Sequence, residues 1–421
     1  MNLTWNRLKK SIGPGVITGV ADDDPSGIAT YGQTGAIFGL GQLWLALYTL
    51  PFMIAVQEMC ARIGMTTGKG LAGIIKAHYS KPVLFFAVLL LGIANIINIG
   101  ADLGAMGQAV HMIIPVSSGV ALLCITIFSL VTAILIPYPL YARILKYLAL
   151  TVFAYVITAF FINYDWLLIF KSLLVPHILW NEQFLFNMMA FLGTTISPYL
   201  FFWQADEEVE EEIEKKKIVA FGKGRPKVSK QDIEQMKTDT VIGMTLSNLV
   251  AFFIMITAAG TLNATNTGEI ATAAQLAEAL RPFAGDFAVY LFAYGIIGTG
   301  LLAVPILAGS FAYAIGETFD MKLGLGKTFM QATGFYSVLI IAMLLGVILN
   351  FINMDPVHML YYSAAANGLL AAPILFIILF IANNRRVMGD KVNGKWSNAL
   401  VGSIAFIMAI ISIFTIEALI R

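Results

Sequence analysis

The stretch ADDDPSGIATYG, residues 21–32, decides the fold. It lies inside a run, 12–39, that otherwise reads as a buried apolar helix, yet it sets Asp22, Asp23 and Asp24 beside Pro25 and Gly27. Proline removes a backbone donor and clashes with the preceding turn, while glycine tolerates non-helical angles, so Asp24-Pro25-Ser26-Gly27 is expected to interrupt the helix. A carboxylate at the centre of a bilayer costs about 3 kcal/mol on insertion scales, which makes it a functional-site candidate. Successive helical residues diverge by about 100°, so three adjacent aspartates can serve one site only if the helix unwinds there. Asp24, next to the break, is the direct candidate, with Asp22 and Asp23 lining the approach. Capping of helix ends at a membrane surface is the alternative, and the depth of the aspartates beyond Lys10 speaks against it.

Composition explains why such a run is a membrane span. Of 421 residues, 58% are hydrophobic and only 12% charged, with mean hydropathy +0.81, far from the range of soluble domains. Runs of about 20 apolar residues cross the hydrocarbon layer. Eleven are expected: 12–39, 42–63, 82–113, 117–138, 142–163, 184–210, 236–262, 286–318, 328–352, 356–383 and 397–420. The net charge of +1 gives no reason to expect nucleic acid, and Cys60 and Cys124, both in apolar runs, read as packing residues. The basic N-terminus has no small-residue cleavage site after a short apolar region, so no removable signal peptide is read.

Arg7, Lys9, Lys10, Arg62, Lys69, Lys76, Lys81, Arg143 and Lys146 fall on one side of these spans, as do Lys215 to Lys237, Lys322, Lys327, Arg385, Arg386, Lys391 and Lys395. Only Lys171, Arg281 and Arg421 fall opposite. That bias places the N-terminus in the cytoplasm and the C-terminus outside, in the cell (inner) membrane. The polar stretch EEVEEEIEKKK follows the sixth span. Glu211 and Glu212 precede Lys215 and Lys216 by four residues, the favoured helical order, so the sixth helix is expected to project into the cytosol as a solvated end. A cation-sensing role is the minor alternative.

The sixth span has its own break, Thr194-Thr195-Ile196-Ser197-Pro198-Tyr199. An interrupted segment at the start of each of two five-helix halves is the sequence pointer to an inverted-repeat transporter, with halves at about 12–163 and 184–383, an extra helix at 397–420, and a single domain over 1–421. The breaks should meet near mid-membrane, their unwound backbone facing a cavity. Asn367 in the tenth span and Gln33 in the first offer amide oxygens, with helix-to-helix hydrogen bonds as the alternative. Asn95, Asn98 and Asp102 recur on the third span, and Asp102 is a candidate for the route to the cytoplasm. Gln57 and Glu58 read as gate or packing residues, and the four histidines show no zinc spacing.

GPGVITGVADDDPSGIATYGQTG followed by ARIGMTTGKGLAGII resembles the first two helices of NRAMP-type divalent metal transporters, whose usual pattern is DPGN and then AR-G-TGK. The variants DDDPSG, TTISPYLFFWQADEEVEEE and LLAVPILAGSFAYAIGE look more like the NRAMP-related magnesium transporter branch. The resemblance implies an all-α LeuT-like inverted repeat of about eleven helices with helices one and six broken, and it covers essentially the whole chain. The family's metal-binding aspartate falls on Asp24. Its asparagine ligand falls on Gly27, its methionine on Ser197, its carbonyl ligand on Thr194 and its histidine on Tyr199. Of an acidic pair in the third helix, Asp102 remains while Ala105 replaces the glutamate.

Thioether sulfur favours softer transition metals, whereas Mg²⁺ takes oxygen ligands and keeps much of its water. The expectation is therefore a Mg²⁺ importer, with Mn²⁺ as a companion, holding a hydrated ion near Asp24 with help from the hydroxyls of Ser26, Thr194, Thr195 and Ser197. Loss of the histidine and glutamate implies weak or absent proton coupling. Two charges moving inward down 100 mV gain roughly 4.6 kcal/mol, about three orders of magnitude in concentration ratio. The metal is substrate and no cofactor is implied; the partners are divalent ions and the lipid bilayer, with no obligate protein partner inferred. The rival readings are a proton-coupled Mn²⁺ or Fe²⁺ importer, then a sodium-coupled amino acid symporter, whose substrate carboxylate the aspartates would repel. An enzyme is disfavoured because no metalloprotease, nucleophile-elbow or phosphate-loop motif is present.

Overall fold

The break at Asp24 is present. In the computed structural model, which describes residues 13–136, 150–265, 268–352 and 354–420, α1 (Pro14–Asp22) ends at Asp22 and α2 (Pro25–Phe38) begins with Pro25 in its first turn. Asp24 is the N-cap of α2, its side chain accepting from the Gly27 N–H. The sixth span repeats the device: α9 and α10, defined below, are separated by Ile196 and Ser197, with Pro198 opening the second piece.

Between the breaks lie α3 (Trp44–Thr67), α4 (Leu71–His78), α5 (Lys81–Ile113), α6 (Ser118–Leu135), α7 (Phe153–Ala159) and α8 (Trp166–Leu174). Then follow α9 (Glu182–Thr195), α10 (Pro198–Glu214), α11 (Lys230–Ala258), α12 (Ala273–Glu278), α13 (Arg281–Ala284), α14 (Ala288–Thr318), α15 (Thr333–Leu349), α16 (Pro356–Asn383), α17 (Arg385–Met388) and α18 (Lys395–Ile420). No strand occurs among the described residues. Among the described residues, eight helical segments are long and apolar enough to cross a membrane. The other predicted spans correspond to the interrupted α1–α2 pair, to Leu150–Ala159 and to Thr333–Leu349. Residues 142–149 of the predicted fifth span lie outside the described residues, as do Arg7, Lys9, Lys10, Arg143, Lys146 and Arg421.

The two broken helices pack crosswise, α1 against α10 and α2 against α9, so their interruptions come together. α5, the longest helix, runs past α14, α15 and α16. Small residues set the closest approaches: a Cβ on Gly19 of α1 would come to 2.3 Å from the Gly243 carbonyl oxygen of α11, and one on Gly64 of α3 to 2.0 Å from that of Ala205 on α10. Asp239 of α11 fixes the start of α1 by accepting from the Gly13 and Gly15 N–H groups at 2.9 and 2.7 Å.

The connectors rich in Lys and Arg gather at one end of the bundle. The Gly222 N–H donates to the Gly68 carbonyl at 2.7 Å, Arg225 reaches the Thr66 and Val387 carbonyls, Arg62 reaches Asn393 Oδ1 at 2.5 Å, and Lys76 pairs with Asp320 at 2.6 Å. Two local expectations need correcting here. Lys215 pairs with Glu211 at 2.9 Å, but Lys216 leaves the helix with φ 57°, and Glu212 pairs with Lys217 at 3.1 Å instead. Nor is the acidic run a solvated end, since Glu207, Glu208 and Glu212 are buried. Cys60 is buried in the core, whereas Cys124 is exposed on the outer face of α6 rather than packed.

Candidate metal centre

The break in the first span releases three carboxylates in two directions. Asp24 Oδ1 accepts from Ser26 Oγ and the Gly27 N–H, both at 2.7 Å, and Oδ2 accepts from Asn98 Nδ2 on α5 at 2.9 Å. The same Asn98 amide reaches Asp102 Oδ2 at 3.2 Å, one helical turn along α5. Asn98 Oδ1 accepts from Asn367 Nδ2 at 2.9 Å and from Ser363 Oγ at 3.3 Å, both on α16. Thr194 Oγ1 of α9 lies 3.4 Å from Ser26 Oγ. Asp24, Ser26, Asn98, Asp102, Thr194 and Asn367 are each no more than 1% exposed, so this constellation is closed to bulk solvent.

Asp22 and Asp23 turn instead toward α11. Ser247 Oγ lies 2.6 Å from Asp22 Oδ2 and 3.2 Å from Asp23 Oδ1. A hydroxyl has one proton, so it satisfies one of these acceptors at a time. Asp22 Oδ1 has no partner at all. Asp23 and Ser247 border a cavity of about 380 Å³ whose other walls, Val20, Phe153, Val250 and Thr299 among them, come from α1, α7, α11 and α14.

The remaining sequence candidates fall in three places. Ser197 Oγ donates to the Gly193 and Thr194 carbonyls at 2.5 and 3.1 Å, and Thr195 Oγ1 to those of Phe191 and Leu192 at 2.9 and 3.3 Å. Both hydroxyls therefore turn back onto α9. Tyr199 donates from its hydroxyl to the Ala21 carbonyl at 3.0 Å, tying α10 to the end of α1. Gln33 lies apart from Asp24, with Oε1 accepting from the Ile270 N–H at 2.9 Å. Gly27 leaves limited room: a Cβ there would meet the Asp22 carbonyl oxygen at 3.2 Å, Tyr31 Cε2 at 3.3 Å and Thr194 Oγ1 at 3.4 Å.

Sequence reading named Asn98 only as recurring with Asn95 and Asp102 on the third span, and it passed over Ser363 and Ser247. Asn98 is the hub of this arrangement, joining Asp24, Asp102 and Asn367; its spacing four residues before Asp102 carried the signal, because such pairs share a helix face. Ser363 stands in the same relation to Asn367. Ser247 carried no comparable signal, being one hydroxyl among many on α11. Of the two residues read as gate or packing positions, Glu58 is bound by Arg62 at 3.3 Å and by Lys237 of α11 at 3.5 Å, and Gln57 is buried.

Comparison with known proteins agrees with this architecture. The chain is 25% identical over 407 residues to the divalent metal cation transporter MntH of Klebsiella pneumoniae subsp. pneumoniae, covering 94% of this chain and 91% of the relative. It is 26% identical over 404 residues to MntH of Yersinia enterocolitica, covering 93% and 91%. Among solved structures, the Eremococcus coleocola manganese transporter in complex with an aromatic bis-isothiourea substituted compound superposes with a TM-score of 0.75 at 16% identity, over 99% of this chain and 87% of that one. Mhp1, a nucleobase-cation-symport-1 family transporter, superposes with a TM-score of 0.52 at 13% identity, over 97% and 92%. The fold is thus the LeuT-like one with helices one and six interrupted, and these relatives are transporters rather than enzymes. The sequence model described as natural resistance-associated macrophage protein-like matches residues 15–417, and the chain belongs to that Nramp family.

Proposed function

We propose that this Nramp-family chain is a divalent metal cation transporter that carries Mg²⁺, with Mn²⁺ as a size-tolerated companion, into the cytoplasm by alternating access and without proton coupling. The observation that carries the reading is the donor set around Asp24. Its carboxylate is held by Ser26, Gly27 and Asn98, with Asp102, Asn367 and Thr194 beside them, and all of these offer oxygen or amide groups. Among the described residues no three His, Cys, Asp or Glu side chains converge as a direct metal cage. Mg²⁺ is commonly held by one or two carboxylates while keeping several waters, so a sparse oxygen-lined centre suits a hydrated ion. Asp24 is the primary ion contact in this reading. Ser26, Gly27, Thr194 and Asn367 shape the water shell, Thr195 and Ser197 set the backbone of the sixth break beside it, Asp22 and Asp23 line the approach, and Asp102, Tyr199 and Gln33 border the route.

The inverted-repeat division at about 12–163 and 184–383, with 397–420 outside it, belongs to the same proposal and is supported by the crosswise packing of the two broken helices. The clustering of basic connectors supports an N-terminus in the cytoplasm, with the C-terminus outside. A second reading, a proton-coupled Mn²⁺ or Fe²⁺ importer, draws on the manganese transporters among the superposed structures. Competition separates the two. In proteoliposomes, an excess of Mg²⁺ should suppress Mn²⁺ uptake through this protein; Mn²⁺ uptake that ignores excess Mg²⁺ favours the second reading.

A further inference from the structure

A second pair of buried carboxylates lies outside the Asp24 constellation, at the basic end of the bundle. Asp206 of α10 is 1% exposed, and neither of its carboxylate oxygens has a hydrogen-bond partner. Beside it stands Glu317, in the last turn of α14. Glu317 Oε1 accepts from the Gly70 N–H at 2.8 Å and Oε2 from the Gly73 N–H at 2.7 Å, at the start of α4. A Cβ on Gly70 would come to 1.8 Å from Asp206 Oδ1 and 2.6 Å from Glu317 Oε2, so the two carboxylates border the same methyl-sized space. One on Gly73 would come to 2.5 Å from Glu317 Oε1. The glycines of the TTGKGLAG stretch therefore admit this acid pair.

Two anions cannot share such a space without a cation between them, because buried charges lacking a partner cost several kcal/mol each. No described ion pair includes either carboxylate. Lys76 spends its ammonium on the Asp320 carboxylate at 2.6 Å and the Glu317 backbone carbonyl at 3.3 Å. Glu317 must be the ionised member, since it accepts two backbone N–H bonds at the positive end of a helix. Asp206 has no donor of its own to accept from.

We propose that Asp206 and Glu317 hold one proton between them, Asp206 donating to Glu317, and that this proton latches α10 to α14 and to the connector that follows α3. Losing it to water at that end of the bundle leaves two buried anions in contact, which drives the three elements apart. Two carboxylates in one site resist joint ionisation for this reason. The latch closes as pH falls on its side of the membrane and opens as pH rises. The charged groups facing it are Glu207 and Glu210 on α10, Lys69 on the connector, Lys76 on α4, and Asp320 just past α14. Glu210 is itself bound by the Tyr313 hydroxyl at 2.7 Å. His78, at the far end of α4, has its protonation pushed down by partial burial and then by Lys69 and Arg225.

The side on which the latch senses pH rests on the proposed orientation; the latch itself does not depend on which ion is carried. The test is divalent-ion uptake into proteoliposomes at clamped potential, varying internal and external pH separately, together with hydrogen exchange across residues 70–78 corrected for intrinsic rates. The wild type should transport several-fold faster as internal pH rises, with protection at 70–78 falling in parallel. Asp206→Asn, whose amide N–H replaces the acid proton, should give a flat profile and constant protection. A response to external pH instead would uphold the latch and reverse the orientation. Retention of the wild-type pH profile by Asp206→Asn, or wild-type protection that does not change with pH, overturns the proposal. If the variant does not reconstitute, the exchange measurement on the wild type decides alone, and it does so even if no divalent ion is carried.

Discussion

The two interrupted helices use the same backbone device and present opposite chemistry. Each break ends one helix and restarts another with proline, Pro25 in the first and Pro198 in the sixth. At the first, side chains are turned outward: Asp24 gathers donors from Ser26, Gly27 and Asn98, and Asp22 and Asp23 share one hydroxyl from α11. At the sixth, the hydroxyls of Thr195 and Ser197 return to carbonyls of their own helix. The first break thus supplies charge, and the sixth supplies shape and backbone dipoles. A helix end buried without donors would be expensive, so a proline break in a membrane tells where polar backbone is needed; the flanking side chains tell what for.

Substitutions can break this contrast. Asp24→Asn should have the largest effect, lowering uptake at limiting Mg²⁺ by about a hundredfold or more while the protein still folds, because it removes the charge that offsets ion desolvation. Intact transport in this variant would shift the ion site away from the first break. Asn98→Ala comes next. It leaves Asp24 Oδ2, Asp102 and the Asn367 amide without their shared partner, a loss of about 1–3 kcal/mol, and should cut uptake by about tenfold or more through misplaced ligands. Ser197→Met combined with Gly27→Asn should move selectivity toward Mn²⁺, read as the ratio of competing uptake rates. The tight contacts at Gly27 require its neighbours to give by a few tenths of an ångström, so the single Ser197→Met variant serves as control. The smallest effect belongs to Thr195→Val, less than about twofold, since its hydroxyl only bonds back within α9. A larger loss there would mean that the sixth break contributes side-chain oxygens after all.

Much of the architecture was legible in the sequence because membrane spans announce themselves by length and apolarity. The predicted span 356–383 coincides with Pro356–Asn383, and 82–113 differs from Lys81–Ile113 by one residue. Both breaks were legible from proline. What was hidden depends on packing between distant elements. Nothing local to Ser247 says that it faces Asp22, a residue 225 positions away. Charge spacing foretold the Glu211–Lys215 pair, but the same rule failed for Lys216 because the helix had already ended. The acidic run looked like a solvated end, yet Glu207, Glu208 and Glu212 are buried in a helix that packs against α3 and α14. The role of Gly70 and Gly73 was likewise invisible, since their missing side chains matter only once Asp206 and Glu317 converge on them.

The most direct measurement is Mg²⁺ uptake into proteoliposomes holding the purified protein, with a negative interior potential and a pH dye inside beside the Mg²⁺ reporter. The account predicts Mg²⁺ entry that follows the imposed potential without acidification of the interior. Acidification in step with metal entry contradicts the uncoupled mechanism, and Mn²⁺ entry without any Mg²⁺ entry contradicts the magnesium assignment.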